Sequence, residues 1–328
     1  MRMKLTTLLL ATAFGLAAMP ASRAADQPLN IVFTHHSSAS NVFWQTVKKG
    51  FEDGCALLHA HCQMVFTQKE GSVEQQQANM QAALARHPDA LITSIVDAHA
   101  FNQIINDAHK QGVVVIASNV DALKGAEGYS WLAFIGQNFI PAGHSLGAAI
   151  AKHFPKTGPI HVLVGVSAPG QSWSEQRAQG VINFLEDYKK ANPDRKISWE
   201  KIDSGTDLAT TGSRVGAYLL AHPDTTAYFD TGFWCAAVAR VLKDRNVAPG
   251  KVLLGGFDLV PEVLQQMKAG YVQALVDQQP YEQGFMPVME VYLNKKAGLP
   301  PADIDTGNAI VTPADVDKVM ELSKERLR

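Results

Sequence analysis

Short apolar runs alternate with longer amphipathic segments along nearly the whole chain, starting at Leu29. The short runs are rich in β-branched residues, and in the longer segments the apolar residues recur at helical spacing. This alternation is typical of βαβ units, in which each helix carries the chain back to a parallel strand. The sequence therefore predicts an α/β protein built on parallel sheets.

The predicted elements fall into two similar series. Strands are expected near residues 29–34, 63–68, 90–94, 113–118 and 133–135, and then near 160–164, 197–202, 227–230, 252–257 and 272–276. Helices are expected near residues 42–58, 73–86, 98–111, 139–154, 176–191, 208–221, 236–245, 261–269 and 281–297. A length of 328 residues exceeds what one hydrophobic core normally serves, so two domains are expected.

Composition excludes several classes of protein. With 46% hydrophobic and 18% charged residues the chain is an ordinary globular one, which excludes disordered, collagen-like and disulfide-scaffold proteins. The formal charge is only −2, and no run of five like charges occurs. Because a phosphate-binding surface needs clustered Lys and Arg, nucleic acid is not an expected partner.

The N-terminal segment has the organisation of a secretory signal peptide. Arg2 and Lys4 precede an apolar run over residues 5–18, and a Ser-Arg-Ala site ends at Ala24, after which cleavage is expected. The run is shorter than the ~20 residues that a membrane span requires. We therefore expect a soluble, exported protein located in the periplasm. Its formal charge would be −5, because the segment contains three basic residues and no acidic one.

Residues 143–147 read Gly-His-Ser-Leu-Gly and match the G-x-S-x-G pattern of a hydrolase nucleophile elbow. That elbow requires a strand ending just before the first glycine, whereas Phe139, Leu146 and Ile150 lie at helical spacing around Ser145. We favour the interpretation that small residues let this helix pack closely against a sheet. A secreted serine hydrolase that uses Ser145 is kept as an alternative function.

Four candidate soft metal ligands lie within eight positions: Cys55, His59, His61 and Cys62. Cys55 and His59 would share a helix face, so a periplasmic metal-binding protein is a second alternative. In an oxidising compartment a disulfide between Cys55 and Cys62 is the simpler interpretation, and it would contribute roughly 2–3 kcal/mol of stability. Cys235 is then expected to be a buried small hydrophobe.

Polar and aromatic residues recur directly after the carboxyl ends of the predicted strands, the edge at which open α/β sheets bind ligands. The candidates for ligand contact are Asn41, Phe43, Trp44, Asn119, Gln137, Trp173, Glu175, Asp258 and Gln278. Amides and carboxylates bond hydroxyl groups, while flat aromatic rings cover C–H faces. The pattern favours binding of a polyhydroxylated molecule, with no catalytic residue and no cofactor.

Several candidates also have an ordinary structural interpretation, which the sequence leaves open. Phe43 or Trp44 could belong to the core, and Asn41 could simply cap a helix. Glu175 could pair with a neighbouring arginine or face solvent, and Asp258 could form an Asx turn after Gly-Gly-Phe. The predicted binding site therefore depends on these residues meeting at one place.

Five short motifs resemble those of periplasmic sugar-binding proteins of the ribose/galactose type, the substrate-binding components of ABC importers. They are Asn-Val-Phe-Trp at 41–44, Ile-Gly-Gln-Asn at 135–138, Arg-Ala-Gln-Gly at 177–180, Gly-Phe-Asp at 256–258 and Val-Asp-Gln-Gln-Pro at 276–280. The order and spacing of the motifs carry the resemblance, which covers essentially the whole chain after the signal peptide.

The resemblance implies the type I periplasmic binding protein fold, with two Rossmann-like lobes joined by a three-stranded hinge that closes on the ligand. The lobes are expected to comprise residues 25–136 with 279–305, and 137–278 with 306–328. The resemblance also implies a monomer that presents its closed form to a membrane permease, and it leaves open whether a chemoreceptor is a further partner.

The resemblance places Asn41, Phe43, Trp44, Asp258 and Gln278 at ligand-contacting positions. We also expect Gln137 and Gln279 to lie at the hinge.

Three positions depart from the family pattern. Asn119-Val120 stands where sugar binders often carry Asp-Arg, Glu175 where an arginine is frequent, and Gly232 where an asparagine is usual. Two cationic donors are thus expected to be missing, which argues against sugar acids and phosphates. The expected ligand is an uncharged sugar, polyol or cyclitol, or one that carries an amino group.

Overall fold

Two six-stranded sheets, each flanked by helices, form two α/β lobes. The structure is a computed structural model that describes residues 27–97, 99–121 and 132–328. The predicted signal peptide lies outside the described residues. In the described part of the chain, no helix is long and apolar enough to cross a membrane.

The sheet of the first lobe is parallel throughout its recorded pairs. Its strands are β1 (Asn30–Ser38), β2 (His61–Thr67), β3 (Ala90–Thr93), β4 (Val114–Asn119), β5 (Ala133–Gly136) and β11 (Ile304–Asp305), in the order β11-β5-β4-β3-β1-β2. The helices packed on this sheet are α1 (Phe43–Leu57), α2 (Val73–Leu84), α3 (Asn102–Lys110) and α9 (Pro280–Ala297).

The sheet of the second lobe repeats this arrangement with one antiparallel edge strand. Its strands are β6 (Ile160–Val166), β7 (Ile197–Asp203), β8 (Ala227–Phe229), β9 (Leu253–Phe257), β10 (Val272–Asp277) and β12 (Ala309–Val311), in the order β12-β10-β9-β8-β6-β7. Its helices are α4 (Phe139–Ala151), α5 (Ser172–Ala191), α6 (Leu208–Ala221), α7 (Cys235–Asp244), α8 (Pro261–Lys268) and α10 (Val316–Lys324). The predicted α/β fold class with two parallel-sheet lobes is confirmed.

Two helices begin at residues other than those predicted. Helix α3 begins at Asn102 rather than near residue 98, because the Asp97 carboxylate accepts hydrogen bonds from the backbone amides of His99 and Ala100 and holds a turn there. Helix α5 begins at Ser172 rather than near 176. Strands β11 and β12 are too short to give a periodic signal.

The chain passes between the two sheets three times. The crossings are residues 137–138 between β5 and α4, residues 278–279 between β10 and α9, and residues 306–308 between β11 and β12. Each sheet is therefore assembled from separate segments of the chain. The lobe boundaries expected at residues 136, 278 and 305 stay a prediction.

Helices α4 and α5 pack against each other through glycine. A Cβ atom added at Gly143 would lie 2.1 Å from the carbonyl oxygen of Arg177, and one added at Gly180 would lie 2.2 Å from that of Ile140. A Cβ at Gly147 would contact the ring of Phe184. The small residues of the 143–147 motif thus face helix α5, and the expectation that they pack against a sheet was wrong.

Replacing Gly143 by alanine should separate these two helices. We expect the Gly143→Ala variant to lose about 1–3 kcal/mol or more of unfolding free energy, because the added methyl group overlaps backbone that cannot move independently. Urea unfolding followed by circular dichroism measures this loss. Ser145→Ala, in the same helix, is the control and should change stability by no more than about 1 kcal/mol. Equal stability of the wild type and Gly143→Ala would contradict the close approach.

Candidate ligand-binding site

A cavity lies between the two lobes at the carboxyl ends of their parallel strands. It encloses about 410 Å³ of space free of atoms, counting its opening to solvent. Its walls are His36, Asn41, Phe43, Trp44, Glu70, Asn119, Val120, Phe139, Trp173, Arg177, Gly232, Phe233, Trp234, Asp258 and Gln278. Seven of the nine residues predicted to contact ligand are among them: Asn41, Phe43, Trp44, Asn119, Trp173, Asp258 and Gln278.

The aromatic wall of the first lobe is formed at the start of helix α1. The rings of Trp44 and His35 are stacked, with centroids 3.9 Å apart and planes 9° from parallel. Phe43 meets Trp44 edge-on at 5.6 Å, and the Asn41 side-chain oxygen accepts a hydrogen bond from the backbone amide of Phe43. Trp44 is only 2% exposed, so it is both a core residue and part of the cavity wall.

Glu70 is a wall residue that the sequence interpretation missed. It lies in the loop between β2 and α2, and its carboxylate accepts hydrogen bonds from the Ser37 hydroxyl, the Ser38 amide at 3.0 Å and the Asn41 side-chain amide at 3.1 Å. The loop follows the carboxyl end of strand β2. The same rule that selected Asn41 and Asn119 therefore could have found it.

A hydrogen-bonded network crosses the base of the cavity. The Gln278 amide donates to a carboxylate oxygen of Asp258, and the Gln278 side-chain oxygen accepts from Asn119 at 3.4 Å. Asn119 and Asp258 both have left-handed backbone conformations, with φ of 67° and 70°, which Asn and Asp tolerate better than most residues. Burial raises the pKa of Asp258, and the nearby charge of Arg177 opposes that shift.

Arg177, the first residue of the 177–180 motif, supplies a buried cation to this wall although it was not among the predicted contact residues. The guanidinium carbon lies 4.2 Å from the ring centroid of Phe257 and 5.0 Å from that of Phe139. Its terminal nitrogens donate to the Thr231 carbonyl at 3.0 Å and to the Gln137 side-chain oxygen at 3.2 Å. The buried Nε has no hydrogen-bond partner among the residues that the structure describes.

The guanidinium group of Arg177 keeps its charge at neutral pH. Burial lowers its pKa to about 10, and the charges of Asp258 and Asp230 oppose that shift. Asp230 accepts hydrogen bonds from the Ser167 hydroxyl and the Gly232 amide. Burial raises the pKa of Asp230 to about 6, against the effect of these hydrogen bonds. The two departures at Val120 and Glu175 therefore do not leave the cavity without a cation, because Arg177 supplies one.

Glu175 does not line this cavity, contrary to the prediction. Because α5 begins at Ser172, Trp173 and Arg177 are four residues apart on one helix face, and Glu175 faces elsewhere. Its carboxylate accepts a hydrogen bond from the Gly170 amide at 3.2 Å and lies 3.7 Å from the Lys201 ammonium group. The surface interpretation of Glu175 is the one that the structure supports.

Gln137 also lies outside the cavity wall, at the first crossing between the lobes. Its amide donates to the Gly307 carbonyl at 2.9 Å in the third crossing, and its oxygen accepts from Arg177. Gln137 therefore holds Arg177 rather than lining the cavity. Gln279, in the second crossing, donates to the Thr306 carbonyl at 3.0 Å, so both glutamines lie where the hinge was expected.

The serine hydrolase and the metal-binding protein each require an arrangement that the described residues do not have. Ser145 lies within helix α4 rather than at a strand-to-helix turn, and its hydroxyl accepts a hydrogen bond from Asn308. The sulfurs of Cys55 and Cys62 are bonded to each other at 2.04 Å, so neither is a thiolate ligand. No group of three or more His, Cys, Asp or Glu side chains suited to a metal ion occurs among the described residues.

The family model described as "Periplasmic binding protein domain" matches residues 31–297, so this chain belongs to that family. The xylose/arabinose-binding protein XylF of Sulfolobus acidocaldarius is 27% identical over 309 residues, which cover 90% of this chain and 73% of that protein. The D-allose-binding periplasmic protein of Escherichia coli is 25% identical over 257 residues, which cover 75% of this chain and 78% of that protein. The resemblance inferred from the five sequence motifs is confirmed.

Solved structures agree in fold. A periplasmic sugar-binding protein of an ABC sugar transporter from Legionella pneumophila superposes with a TM-score of 0.77, at 25% identity over 85% of this chain and 99% of that one. A carbohydrate transporter from Acidothermus cellulolyticus, solved in complex with myo-inositol, gives 0.78 at 22% identity over 92% of this chain and 100% of that one. The fold is that of the type I periplasmic binding proteins.

His36 should make stability depend on pH. Its ring nitrogen lies 2.9 Å from the Ser94 hydroxyl, and burial lowers its pKa from 6.5 to about 4, against the effect of Glu70. Between these pH values the unfolded chain binds a proton that the folded chain does not. Stability contributed by His36 is therefore lost as pH falls through this window, by on the order of 3 kcal/mol.

Asp230 titrates in the same pH window, and its effect on stability is opposite to that of His36. The wild type is therefore compared with His36→Asn, because Asp230 is present in both proteins. Urea unfolding at pH 7.5 and pH 4.5 should show the wild type losing stability relative to His36→Asn as pH falls. A difference that does not change with pH would contradict a neutral, buried His36.

Proposed function

We propose that this protein captures a sugar, polyol or cyclitol in the cavity between its lobes and delivers it to the membrane permease of an ABC importer. The observation that carries the proposal is the unpartnered Nε of buried Arg177 in a wall that also contains Asp258 and aromatic rings. A buried N–H group without a partner is costly, and a ligand oxygen would satisfy it. Relatives named for xylose, arabinose and allose support this ligand class.

The charges of the wall favour a ligand without negative charge. Glu70 and Asp258 are the acidic groups, and Arg177 is the basic one. Carboxylates accept hydrogen bonds from hydroxyl or amino groups, whereas a phosphate or carboxylate ligand would face two acids. We therefore propose a preference for uncharged or weakly cationic polyols, with Arg177 as the one basic group of the wall.

The way in which the protein binds its ligand follows from the placement of the wall on two lobes. Trp44 and Glu70 belong to the first lobe, whereas Trp173, Arg177 and Asp258 belong to the second. A ligand that contacts both walls binds the closed arrangement more tightly than an open one, and so shifts the hinge toward closure. We propose that the protein acts by this binding alone and catalyses no reaction.

We also propose that the protein is exported to the periplasm as a monomer, after cleavage behind Ala24. The family includes periplasmic sugar-binding proteins, which supports this compartment. The closed form would be the species that the permease recognises, and a chemoreceptor could use the same form.

Asp258→Asn should weaken binding without changing the shape of the wall. Isothermal titration with a panel of pentoses, hexoses, polyols and cyclitols first identifies a ligand. We then expect Asp258→Asn to raise its Kd by about 10-fold or more, because a charged acceptor is replaced by an amide. Glu175→Gln is the matched control on the surface and should leave Kd unchanged. Unaltered binding by Asp258→Asn would show that the site is elsewhere.

A further inference from the structure

A second cavity adjoins the ligand cavity between the lobes, and we call it the outer chamber. Residues 69–72 of the first lobe form one wall, and residues 167–169, 171 and 205–206 of the second lobe form the other. The outer chamber encloses about 740 Å³ of space free of atoms, counting its opening to solvent. It shares His36, Glu70 and Trp173 with the ligand cavity, so the two spaces are neighbours.

The lining of the outer chamber suits an uncharged hydrophilic group. Ser72, Gln171 and Thr206 offer hydroxyl and amide groups from both lobes, and Trp173 is the aromatic side chain of the wall. The charges of Lys69 and Glu70 have opposite signs. Hydroxyls and amides with one aromatic face are the partners that a sugar ring uses.

The wall contributed by the first lobe is held by hydrogen bonds within the protein. The side-chain oxygen of Gln75 accepts hydrogen bonds from the backbone amides of Gln68 and Lys69 at 2.8 and 3.1 Å. The Gly71 amide donates to the His36 carbonyl at 2.8 Å, and Glu70 is held as described above. A wall ordered in advance lowers the entropy cost of binding.

Trp173 of the second lobe lines both cavities. The indole N–H of Trp173 donates to the Gln171 side-chain oxygen at 2.7 Å. The Gln171 amide then donates to the Gly71 carbonyl of the opposite lobe at 3.4 Å. Trp173 is thereby oriented as a shared wall, and the lobes meet beside the outer chamber.

A third space beside Glu70 differs from the outer chamber in its charge. Its lining includes hydroxyl and amide groups and two aromatic rings, from Ser38, Ser40, Asn41, Thr206, Phe233 and Trp234, but also three acidic groups, Glu70, Asp207 and Glu262. In the outer chamber the charge of Glu70 is balanced by that of Lys69, so the outer chamber is the better match for an uncharged unit.

We infer that the outer chamber is a second subsite, which binds an uncharged hydrophilic unit attached to the sugar in the ligand cavity, such as the second ring of a disaccharide. The inference rests on the proposed function, because the first ring must occupy the ligand cavity. The protein would then bind disaccharides or glycosides in addition to single sugars.

Titration calorimetry with paired probes tests the subsite. The probes are D-xylose, D-glucose and D-galactose, and the disaccharides xylobiose, cellobiose and lactose. The wild type should bind at least one disaccharide no more weakly than the matching monosaccharide. Pro169→Trp fills the outer chamber from an exposed loop position, and it should raise the Kd for that disaccharide by about 10-fold or more while leaving the monosaccharide within about 2-fold.

Lys69→Trp fills the chamber from the opposite wall and should have the same selective effect, so the test survives if one variant folds poorly. Pro249→Trp, at an exposed loop proline outside both cavities, is the control and should change neither Kd. Binding of monosaccharides but of no disaccharide would overturn the subsite, as would equal effects of Pro169→Trp and Lys69→Trp on both probes. Failure of every probe to bind would instead count against the proposed function.

Discussion

A guanidinium group buried between the two lobes is the constraint on which the rest of the site depends. Placing a charge out of water costs several kcal/mol unless other charges and hydrogen bonds compensate for it. Around Arg177 these are the carboxylates of Asp258 and Asp230, the oxygens of Thr231 and Gln137, and the faces of aromatic rings. Strands β8 and β9, the first crossing and helix α5 must all be in their native positions for this group to be buried.

The packing of α4 on α5 also positions Arg177. Gly143 lies against the carbonyl oxygen of Arg177, and no side chain fits between the two helices at this point. Gln137, in the crossing that leads into α4, accepts a hydrogen bond from the same arginine and donates to Gly307 in the third crossing. The residue that faces the ligand cavity is thereby connected to two of the three passages between the lobes.

The sequence predicts the fold well because the signals that determine it are local. Apolar periodicity places all ten strands of the two predicted series, and the rule that ligands bind at the carboxyl ends of parallel strands places seven wall residues. The prediction fails where it depends on which face of a helix a residue occupies. Starting α5 four residues too late hid the shared face of Trp173 and Arg177 and favoured Glu175 instead. Glu70 follows the edge strand β2, and neither an aromatic residue nor a family motif marks its loop.

The backbone also shows where function constrains the fold. Asn119 and Asp258 adopt left-handed conformations at the ends of β4 and β9, and Gln279 does so after β10. The first two side chains reach the ligand cavity, and the third bonds across the hinge. Three of the seven non-glycine residues with positive φ in the described ranges therefore lie at the cavity or the hinge, and the other four follow helix ends.

The central claim is that a sugar completes the hydrogen bonds of Arg177 between the lobes. A crystal structure of the protein with the sugar that calorimetry identifies tests it most directly. We predict that a sugar oxygen accepts a hydrogen bond from Nε of Arg177 and that a sugar hydroxyl donates to Asp258. A sugar bound away from the cleft, with the Nε of Arg177 still unpartnered, would contradict this account.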